Sequence, residues 1–369
     1  MKSTTNALCQ KDSCASSRPL PKNYSPAIWS ALTSVALVCT LAADSAHAQV
    51  METAGGRALG MGGAFVAVAS DSSATWWNPA GIAAGPFVDI AWARSVTERV
   101  EELPATQDRT SWFAVATPPA AFSYYRLRIT DIQPFNPTDD PSASREDRRA
   151  GVPVRSLSAS QLGVTFVRTL SPGVHAGTTL KYIRGTLRHG REDSLASPQD
   201  LLALGDDYAG GDTQGRIDLD VGLLAVAGSV RLGAVVKNLR EPEFDAPGLT
   251  PDAPPNRLVI PRQMRIGVAF DPENATGVPL TVAFDADVRT YPTSSGERRV
   301  VAIGVEHWFL TKRVGVRAGG RKNTRGEGEM SATAGLTLAL RGGLYLDGHA
   351  VRGRKVDEQG WGLAARISF

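Results

Sequence analysis

Apolar and polar residues alternate one by one along most of the chain from Pro86 onward. The clearest case is the C-terminal segment, in which every second residue is apolar: Trp361, Leu363, Ala365, Ile367 and Phe369. A period of two places alternate side chains on opposite faces of a β-sheet. One face of each predicted strand is therefore apolar, and the opposite face tolerates charge.

The same pattern predicts fourteen strands, at 86–95, 109–117, 119–128, 154–169, 173–188, 215–227, 229–238, 262–271, 278–290, 299–309, 313–321, 329–340, 342–352 and 359–369. The length of each connection depends on its position in the order of strands. The connections after the first, third, fifth and seventh strands are long and polar, and most of the others are tight. An even strand number with tight turns at one rim and long loops at the other is typical of bacterial outer-membrane barrels, whereas a sandwich has no reason to sort its loops. The predicted fold class is all-β, a transmembrane antiparallel up-and-down β-barrel of about fourteen strands.

One long apolar stretch lies outside this pattern, at 27–43. Four basic residues precede it, and Ala46-His47-Ala48 follows it. This order is typical of a secretory signal peptide, here cut after Ala48; an uncleaved anchor helix is the alternative. The predicted organisation is a signal peptide at 1–48, an N-terminal segment at 49–85 and a barrel at 86–369, exported to the outer membrane of a Gram-negative bacterium.

Composition narrows the chemistry that the mature chain can perform. All three cysteines lie within residues 1–48, so thiolate and disulfide chemistry is excluded after cleavage. Removal of that segment also lowers the formal net charge from +3 to +1, which gives no reason to expect a nucleic-acid partner.

Enzyme and metal-site signatures are missing from the sequence. There is no GxSxG and no HExxH motif, and the histidines His175, His189, His307 and His349 are widely spaced. We therefore expect no catalytic residues, no metal and no cofactor, with a hydrolase assembled by barrel closure as the alternative.

The segment before the first strand is rich in glycine and reads GGRALGMGGAFVAVASDSSATWWNPAGIA from Gly55 to Ala83. Asn78 followed by Pro79 suits an N-cap with proline at the first helical position, which predicts a one-turn helix from Pro79. The glycines do not form a phosphate-binding pattern, because neither GxxxxGK[ST] nor GxGxxG is present.

This block resembles the corresponding segment of the FadL/TodX superfamily of outer-membrane transport proteins, and especially its PorV/PorQ-like branch. The matching positions are Gly56-Arg57-Ala58, Gly60, Gly62, Ala64 and Asn78-Pro79-Ala80-Gly81. Shorter likenesses at 236–239, 258–263, 285–287 and 304–308 extend the resemblance over nearly the whole mature chain. It implies a fourteen-stranded barrel whose segment 49–85 folds into the lumen as a plug, with gating residues Gly60, Gly62, Asn78, Pro79, Ala80 and Gly81.

The resemblance also implies a function. We expect a passive, plug-gated channel for hydrophobic or amphipathic small molecules. The alternative is a PorV-like protein-interaction barrel that shuttles cargo for a secretion system. The expected partners are the outer-membrane bilayer, a hydrophobic ligand, and the barrel assembly machinery, which characteristically reads a terminal aromatic such as Phe369.

If the apolar faces contact lipid, the inward face is charged. The predicted inward set is Arg216, Asp218, Asp220, Arg231, Lys237, Arg265, Asp285, Asp287, Arg289, Glu306, Arg313, Arg317, Asp347 and Arg366. From these we select the luminal polar candidates Arg265, Asp285, Asp287, Glu306 and Arg317. A barrel of this size encloses an aqueous channel unless something fills it. The charges can solvate the lumen, select a substrate or hold the plug, and the sequence leaves all three open.

Aromatic residues fall near both ends of the predicted strands, as two interfacial girdles require. Those at the short-turn ends are Phe87, Phe166, Phe270, Phe309 and Phe369; those toward the long loops are Tyr182, Tyr291 and Trp361. A packing role in a core is the alternative for each of them.

Overall fold

The computed structural model describes residues 46–47, 51–100, 105–132, 152–192, 197–206, 211–246, 256–293, 296–326, 328–354 and 358–369. The chain divides into two units, 1–44 and 45–369, and all described residues belong to the second. The predicted signal peptide lies almost wholly outside the described residues.

Fourteen antiparallel strands form a closed barrel in which chain neighbours are also sheet neighbours. They are β1 Asp89–Arg99, β2 Thr106–Thr117, β3 Ala120–Ile132, β4 Val152–Ser171, β5 Val174–Glu192, β6 Gln214–Ala227, β7 Val230–Lys237, β8 Gln263–Phe270, β9 Leu280–Asp287, β10 Val300–Phe309, β11 Val314–Asn323, β12 Met330–Ala339, β13 Leu344–Arg354 and β14 Glu358–Ser368. The predicted fold class and the number of strands are confirmed.

The last strand closes the barrel on the first. The β14–β1 ladder runs from Glu358 opposite Arg99 to Ser368 opposite Asp89. Closure pairs the backbone groups of both strands, which matters in lipid because an unsatisfied peptide group there costs several kcal/mol. The expected pairing of the first and last strands is confirmed.

The alternation of side chains along β14 matches its two faces. Leu363 is 59% exposed and Ile367 is 39% exposed on the outer wall. Arg366 points inward, where its Nη1 lies 3.4 Å from a carboxylate oxygen of the buried Asp89. The strand therefore presents apolar side chains outward and its charge to the lumen, as the sequence predicts.

The connections alternate in length from β1 as far as β13, and the last connection, at 355–357, is short. The turns 118–119, 172–173 and 228–229 have two residues each, whereas 238–262 and 288–299 join neighbouring strands at the opposite rim. Several strands extend further toward the long-loop rim than their apolar pattern does: β1 reaches Arg99 and β5 reaches Glu192, beyond the predicted ends at 95 and 188. Backbone pairing continues there although most of the added residues are polar.

Two of the long connections contain short strands that the alternation did not predict. Glu243–Ala246 pairs antiparallel with Asn256–Val259, which also pairs in parallel with Ala46–His47. Tyr291–Thr293 pairs with Gly296–Arg298. None of the helices among the described residues is long and apolar enough to cross a bilayer.

The N-terminal segment lies inside the barrel and packs against its wall. It contains the short helices α1 Gly56–Gly60 and α2 Ala74–Trp77, followed by a 3₁₀ helix at Pro79–Ala84. The side chain of Asn78 accepts a hydrogen bond from the backbone N–H of Ala80, so the predicted helix start at Pro79 is confirmed. We refer to residues 51–85 as the plug.

Candidate functional site

The plug forms the main hydrophobic core of the molecule. Its large side chains Phe65, Trp76 and Trp77 are at most 3% exposed, and they pack with inward residues of the strands. The Phe65 and Trp77 rings meet edge to face with centroids 6.1 Å apart. The Trp76 ring lies against the wall residue Tyr125, whose hydroxyl is 2.7 Å from the Thr75 hydroxyl of the plug. The lumen is therefore occupied by protein along the length of the plug.

A first group of ion pairs joins the plug to the wall through Glu52. One carboxylate oxygen of Glu52 lies 2.6 Å from Arg265 Nη2 on β8, and the other lies 3.0 Å from Arg298 Nη2 in the 296–298 strand. Arg265 Nε is in turn 2.7 Å from Asp287 Oδ1 on β9. Burial raises the pKa of the Glu52 carboxyl, but Arg265 and Arg298 outweigh burial and hold that pKa well below its usual range. Glu52 is thus a buried anion shared by two arginines.

A second group is centred on Glu306 of β10. Arg57 of the plug places Nη2 2.6 Å from Glu306 Oε2, while Arg317 of β11 places Nε 2.9 Å from Oε1. Arg317 also reaches Asp347 at 3.4 Å, and Arg57 reaches Asp71 at the same distance. Burial raises the pKa of the Asp71 carboxyl, and the nearby Arg366 and Arg57 lower it by more, so the net direction is downward. Glu306 therefore bridges one plug arginine and one wall arginine.

Two polar side chains bind plug backbone groups directly. The carboxylate oxygen Oδ2 of Asp285 on β9 accepts hydrogen bonds from the N–H groups of Phe65 and Val66, both at 2.8 Å. Asn78 Nδ2 donates to the carbonyl oxygens of Val66, at 2.8 Å, and of Leu223 on β6, at 2.9 Å. Asn78 therefore holds two parts of the plug and the wall together, while its Oδ1 caps the 3₁₀ helix.

Backbone lies against backbone where glycines line the inner wall. A Cβ on Gly304 of β10 would lie 2.4 Å from the carbonyl oxygen of Met61, and one on Gly319 of β11 would lie 2.3 Å from the Met61 carbonyl carbon. Gly177 on β5 makes an equally close approach to Pro79 and Ala80. Glycine inside a strand often marks such an approach. These positions leave no room for a side chain between plug and wall.

The plug glycines selected from the sequence lie at similar contacts. Gly60 packs against Gly335 of β12, and its carbonyl accepts a hydrogen bond from the Thr333 hydroxyl. Gly62 has φ +71° and lies against Gly320 of β11. Gly81 is buried within the 3₁₀ helix, where a Cβ would lie 2.0 Å from the Ala69 carbonyl oxygen.

Two wall lysines face the plug region from β5 and β7. Lys181 Nζ lies 2.9 Å from Asp218 Oδ2 and 2.7 Å from Asp220 Oδ1. Lys237 Nζ lies 3.3 Å from the centroid of the Trp76 ring, a cation–π contact.

The sequence pattern identified Lys237 and both aspartates as inward but missed Lys181 and Glu52. Lys181 lies between the outward residues Leu180 and Tyr182 of β5, so the alternation would have identified it as inward. No local pattern marks Glu52.

An apolar patch covers the inner wall near the long-loop rim, apart from the plug. Its wall residues are Ile129, Leu157, Ala159, Ile183 and Leu187. The 243–246/256–259 hairpin covers the patch and buries Phe244 completely against it. Polar contacts hold the hairpin to β6: Gln214 Nε2 donates to the Asp245 carbonyl at 2.6 Å, and Arg216 Nε donates to the Glu243 carbonyl at 2.8 Å.

At the opposite rim a cleft of about 230 Å³ leads from the surface to the Arg57–Glu306 pair. Its other lining residues include Trp308, Tyr345 and Arg366. The apolar patch and this cleft lie on opposite sides of the plug, one toward each rim.

Three sequence expectations are corrected by the structure. Arg289 and Arg313 do not line the lumen, because both lie in connections beyond the strand ends and are exposed. Tyr291 does not belong to a lipid-facing girdle, because it is only 2% exposed within the 291–298 hairpin. By contrast Phe87, Phe166 and Trp361 are at least half exposed on the outside of the molecule.

The closed fourteen-stranded barrel has the fold of the FadL/TodX outer-membrane channels. The chain belongs to the family described as F plasmid transfer operon, TraF, protein, whose model matches residues 75–287, more than half of the chain. No curated protein matches the chain significantly.

Three solved structures show the likeness in fold. The CymD monoaromatic hydrocarbon channel has a TM-score of 0.61 and 12% identity, over 87% of this chain and 99% of its own. The Pseudomonas putida toluene transporter TodX has a TM-score of 0.54 and 12% identity, over 87% and 98%. A Pseudomonas aeruginosa FadL homologue has a TM-score of 0.51 and 10% identity, over 83% and 96%. The FadL/TodX likeness is confirmed at the level of the fold, and the PorV/PorQ-like branch stays a prediction.

Proposed function

We propose that the chain is an outer-membrane channel for hydrophobic or amphipathic small molecules, and that the plug gates it. The ligand binds at the apolar inner-wall patch beneath the 243–246/256–259 hairpin. It then passes the plug toward the short-turn rim.

The apolar patch is the observation that carries this proposal. A barrel lumen that serves only water and ions is lined by polar groups. Here five aliphatic residues of β3, β4 and β5 face inward together, and the cover over them comes from a loop. Because that cover is held to β6 by a few polar contacts, its displacement would expose an apolar surface to the long-loop side.

The outer surface supports a location in the membrane. Large apolar side chains are exposed along the strands, among them Phe113, Leu180, Ile303 and Leu336. Such a surface marks contact with lipid or another protein. Export through a signal peptide cleaved after Ala48 remains part of the proposal. Cleavage there would remove the Ala46–His47 strand, so N-terminal sequencing should find Gln49 first.

The names of two similar structures support the same class of substrate, since CymD is described as a monoaromatic hydrocarbon channel and TodX as a toluene transporter. We extend only the chemical class of the substrate to this chain. Toluene and a fluorescent long-chain fatty acid are therefore the probes of choice.

The test measures entry of each probe into lipid vesicles that contain the purified full chain. We expect saturable uptake by the natural chain and faster uptake by Phe244→Ala, because truncation of the buried ring loosens the cover. Leu187→Ser should lower uptake by removing apolar surface from the patch. Val300→Ser is the matched control, since Val300 is an equally buried inward aliphatic residue outside the patch.

Equal uptake by the Leu187→Ser and Val300→Ser variants would refute binding at the patch. Uptake no faster than that of empty vesicles would refute the channel itself. Plug gating is tested separately by Asn78→Ala, which removes the Val66 and Leu223 contacts and should raise single-channel conductance in planar bilayers.

A protein-interaction barrel is the second candidate, and the family match favours it because the family's description names a protein of a plasmid transfer operon. Its test is chemical cross-linking of intact cells followed by purification of the full chain. A specific protein recovered in stoichiometric amount, together with no uptake of either probe, would replace the channel by this second function.

A further inference from the structure

The outer wall of β1 to β5 changes from apolar to basic between two adjacent rows of cross-strand partners. One row consists of Trp92, Phe113, Tyr124, Leu162 and Tyr182. The next row, toward the long-loop rim, consists of Arg94, Ser111, Arg126, Ser160 and Arg184. Arginine and serine thus alternate from strand to strand, directly beside a row of large apolar and aromatic side chains.

The small serines leave room between the arginines. Neighbouring strands lie about 4.8 Å apart, so arginines on alternate strands are roughly 10 Å apart at their backbones. Arg109 and Arg128, which are cross-strand partners one row further on, add two more cations. The result is an open cleft of about 400 Å³ lined by Trp92, Arg94, Arg109, Thr110, Ser111, Arg126, Arg128 and Ser158. A second cleft of about 260 Å³ continues past Ser160 to Arg184.

Three arginines of this surface form no ion pair with the described part of the barrel. Among the ion pairs formed by described residues, none involves Arg94, Arg126 or Arg184. A cation on the lipid-facing side of a barrel is unfavourable within the hydrocarbon and is tolerated at the level of the headgroups. Guanidinium groups bind phosphate through paired hydrogen bonds, and serine hydroxyls can donate further ones.

We propose that the Arg94–Arg126–Arg184 row binds the phosphorylated headgroup of an outer-leaflet glycolipid of the lipid A type. The acyl chains then lie along the aromatic row beside it, so one molecule satisfies both rows. This inference rests on the proposed location in the outer membrane, with the long loops outside. Lipid is favoured over an acidic protein because the cations lie on the wall next to exposed apolar side chains, not on the loops.

The experiment compares diphosphorylated lipid A with the same lipid after enzymatic dephosphorylation. Each lipid is titrated onto the full chain in neutral detergent, and native mass spectrometry counts the lipid molecules bound per chain. The test variant is Arg94→Gln/Arg126→Gln/Arg184→Gln. The control is Arg168→Gln/Arg313→Gln/Arg341→Gln, which removes the same charge from exposed positions at or near the short-turn rim. Heat-modifiable migration on gels checks that both variants form the barrel.

We expect the test variant to lose affinity for diphosphorylated lipid A by roughly a hundredfold, because each basic residue near an anionic lipid surface contributes about a fivefold gain. The control should bind like the natural chain, and added salt should weaken binding. Equal affinity for the dephosphorylated lipid would overturn the proposal, as would an equal loss in the control. Competition by millimolar inorganic phosphate as effective as by lipid A would show a free-anion site instead. Probe uptake is a separate measurement, so the proposed channel function and the proposed lipid site can be refuted independently.

Discussion

Arg265 Nη2 on the barrel wall lies 2.6 Å from Glu52 Oε1 in the plug, and both side chains are 1% exposed. The two residues are separated by 213 positions in the sequence. Their pairing places a buried charge on each side of the boundary between the plug and the wall. Loss of either residue would leave a buried charge with one partner fewer, Asp287 for Arg265 and Arg298 for Glu52, and this couples the plug to the closed barrel.

Substitution of Glu52 by glutamine should therefore destabilise the barrel strongly. The change keeps the shape and removes the charge shared by Arg265 and Arg298, and breaking a buried pair of this kind costs about 3–5 kcal/mol. The measurement is the free energy of unfolding in urea, in a detergent that permits refolding. Glu273→Gln is the control, because the Glu273–Lys312 pair is partly exposed and should contribute at most about 1 kcal/mol. Similar losses in both variants would contradict a special role for Glu52.

Acid should weaken the same link. The folded-state pKa of Glu52 lies below its ordinary value of 4.5, so its stabilising contribution is complete above that value and decreases as the pH falls toward the folded-state pKa. We expect the Tm of the natural chain to fall as the pH is lowered below about 5, and the slope to be shallower in Glu52→Gln. Identical slopes in the two proteins would show that other groups govern the acid response.

A methyl group at Gly304 should push the plug away from the wall. The added Cβ would lie 2.4 Å from the Met61 carbonyl oxygen, and overpacking of this kind costs about 1–3 kcal/mol. Gly348→Ala is the control, since its Cβ would meet the Leu363 side chain at an ordinary 3.6 Å. Limited proteolysis should cut the plug faster in Gly304→Ala than in Gly348→Ala; equal rates would mean that the plug adjusts freely.

The strands could be predicted from the sequence because one physical rule acts along all of them: a wall between lipid and a filled lumen requires alternate apolar residues. The rule applies only to the part of each strand that contacts lipid. Thr97, Glu98 and Arg99 continue β1 by pairing with β2 and β14, and the Arg99 side chain also forms an ion pair with Glu358 of β14. Their polar side chains are typical of a loop, so the alternation does not extend the predicted strand to them. The Glu243–Ala246 strand was missed for a different reason: it has only four residues, and its partner lies in another part of the same long connection.

The candidate site was predictable only in part. Asp285 and Glu306 stand out as charges at the inward phase of apolar strands, and the structure places both in contact with the plug. Glu52 could not be found in this way, since its partners are brought to it by barrel closure and not by sequence spacing. The inward glycine Gly304 did carry a usable signal, because glycine in the middle of a strand indicates a close backbone approach.

The final prediction concerns Phe369 and distinguishes an effect on barrel assembly in cells from an effect on barrel stability. Its side chain is 70% exposed, while its backbone N–H and carbonyl pair with Val88. Phe369→Ser should therefore keep the backbone ladder and leave the unfolding free energy of barrel refolded in detergent nearly unchanged. If the assembly machinery reads the terminal aromatic, the same variant should accumulate several times less in the outer-membrane fraction of cells. Phe309→Ser is the matched control, because Phe309 is 48% exposed on the outer wall but internal to the chain. An equal drop in both variants would attribute the effect to lost lipid contact and not to recognition of the terminus.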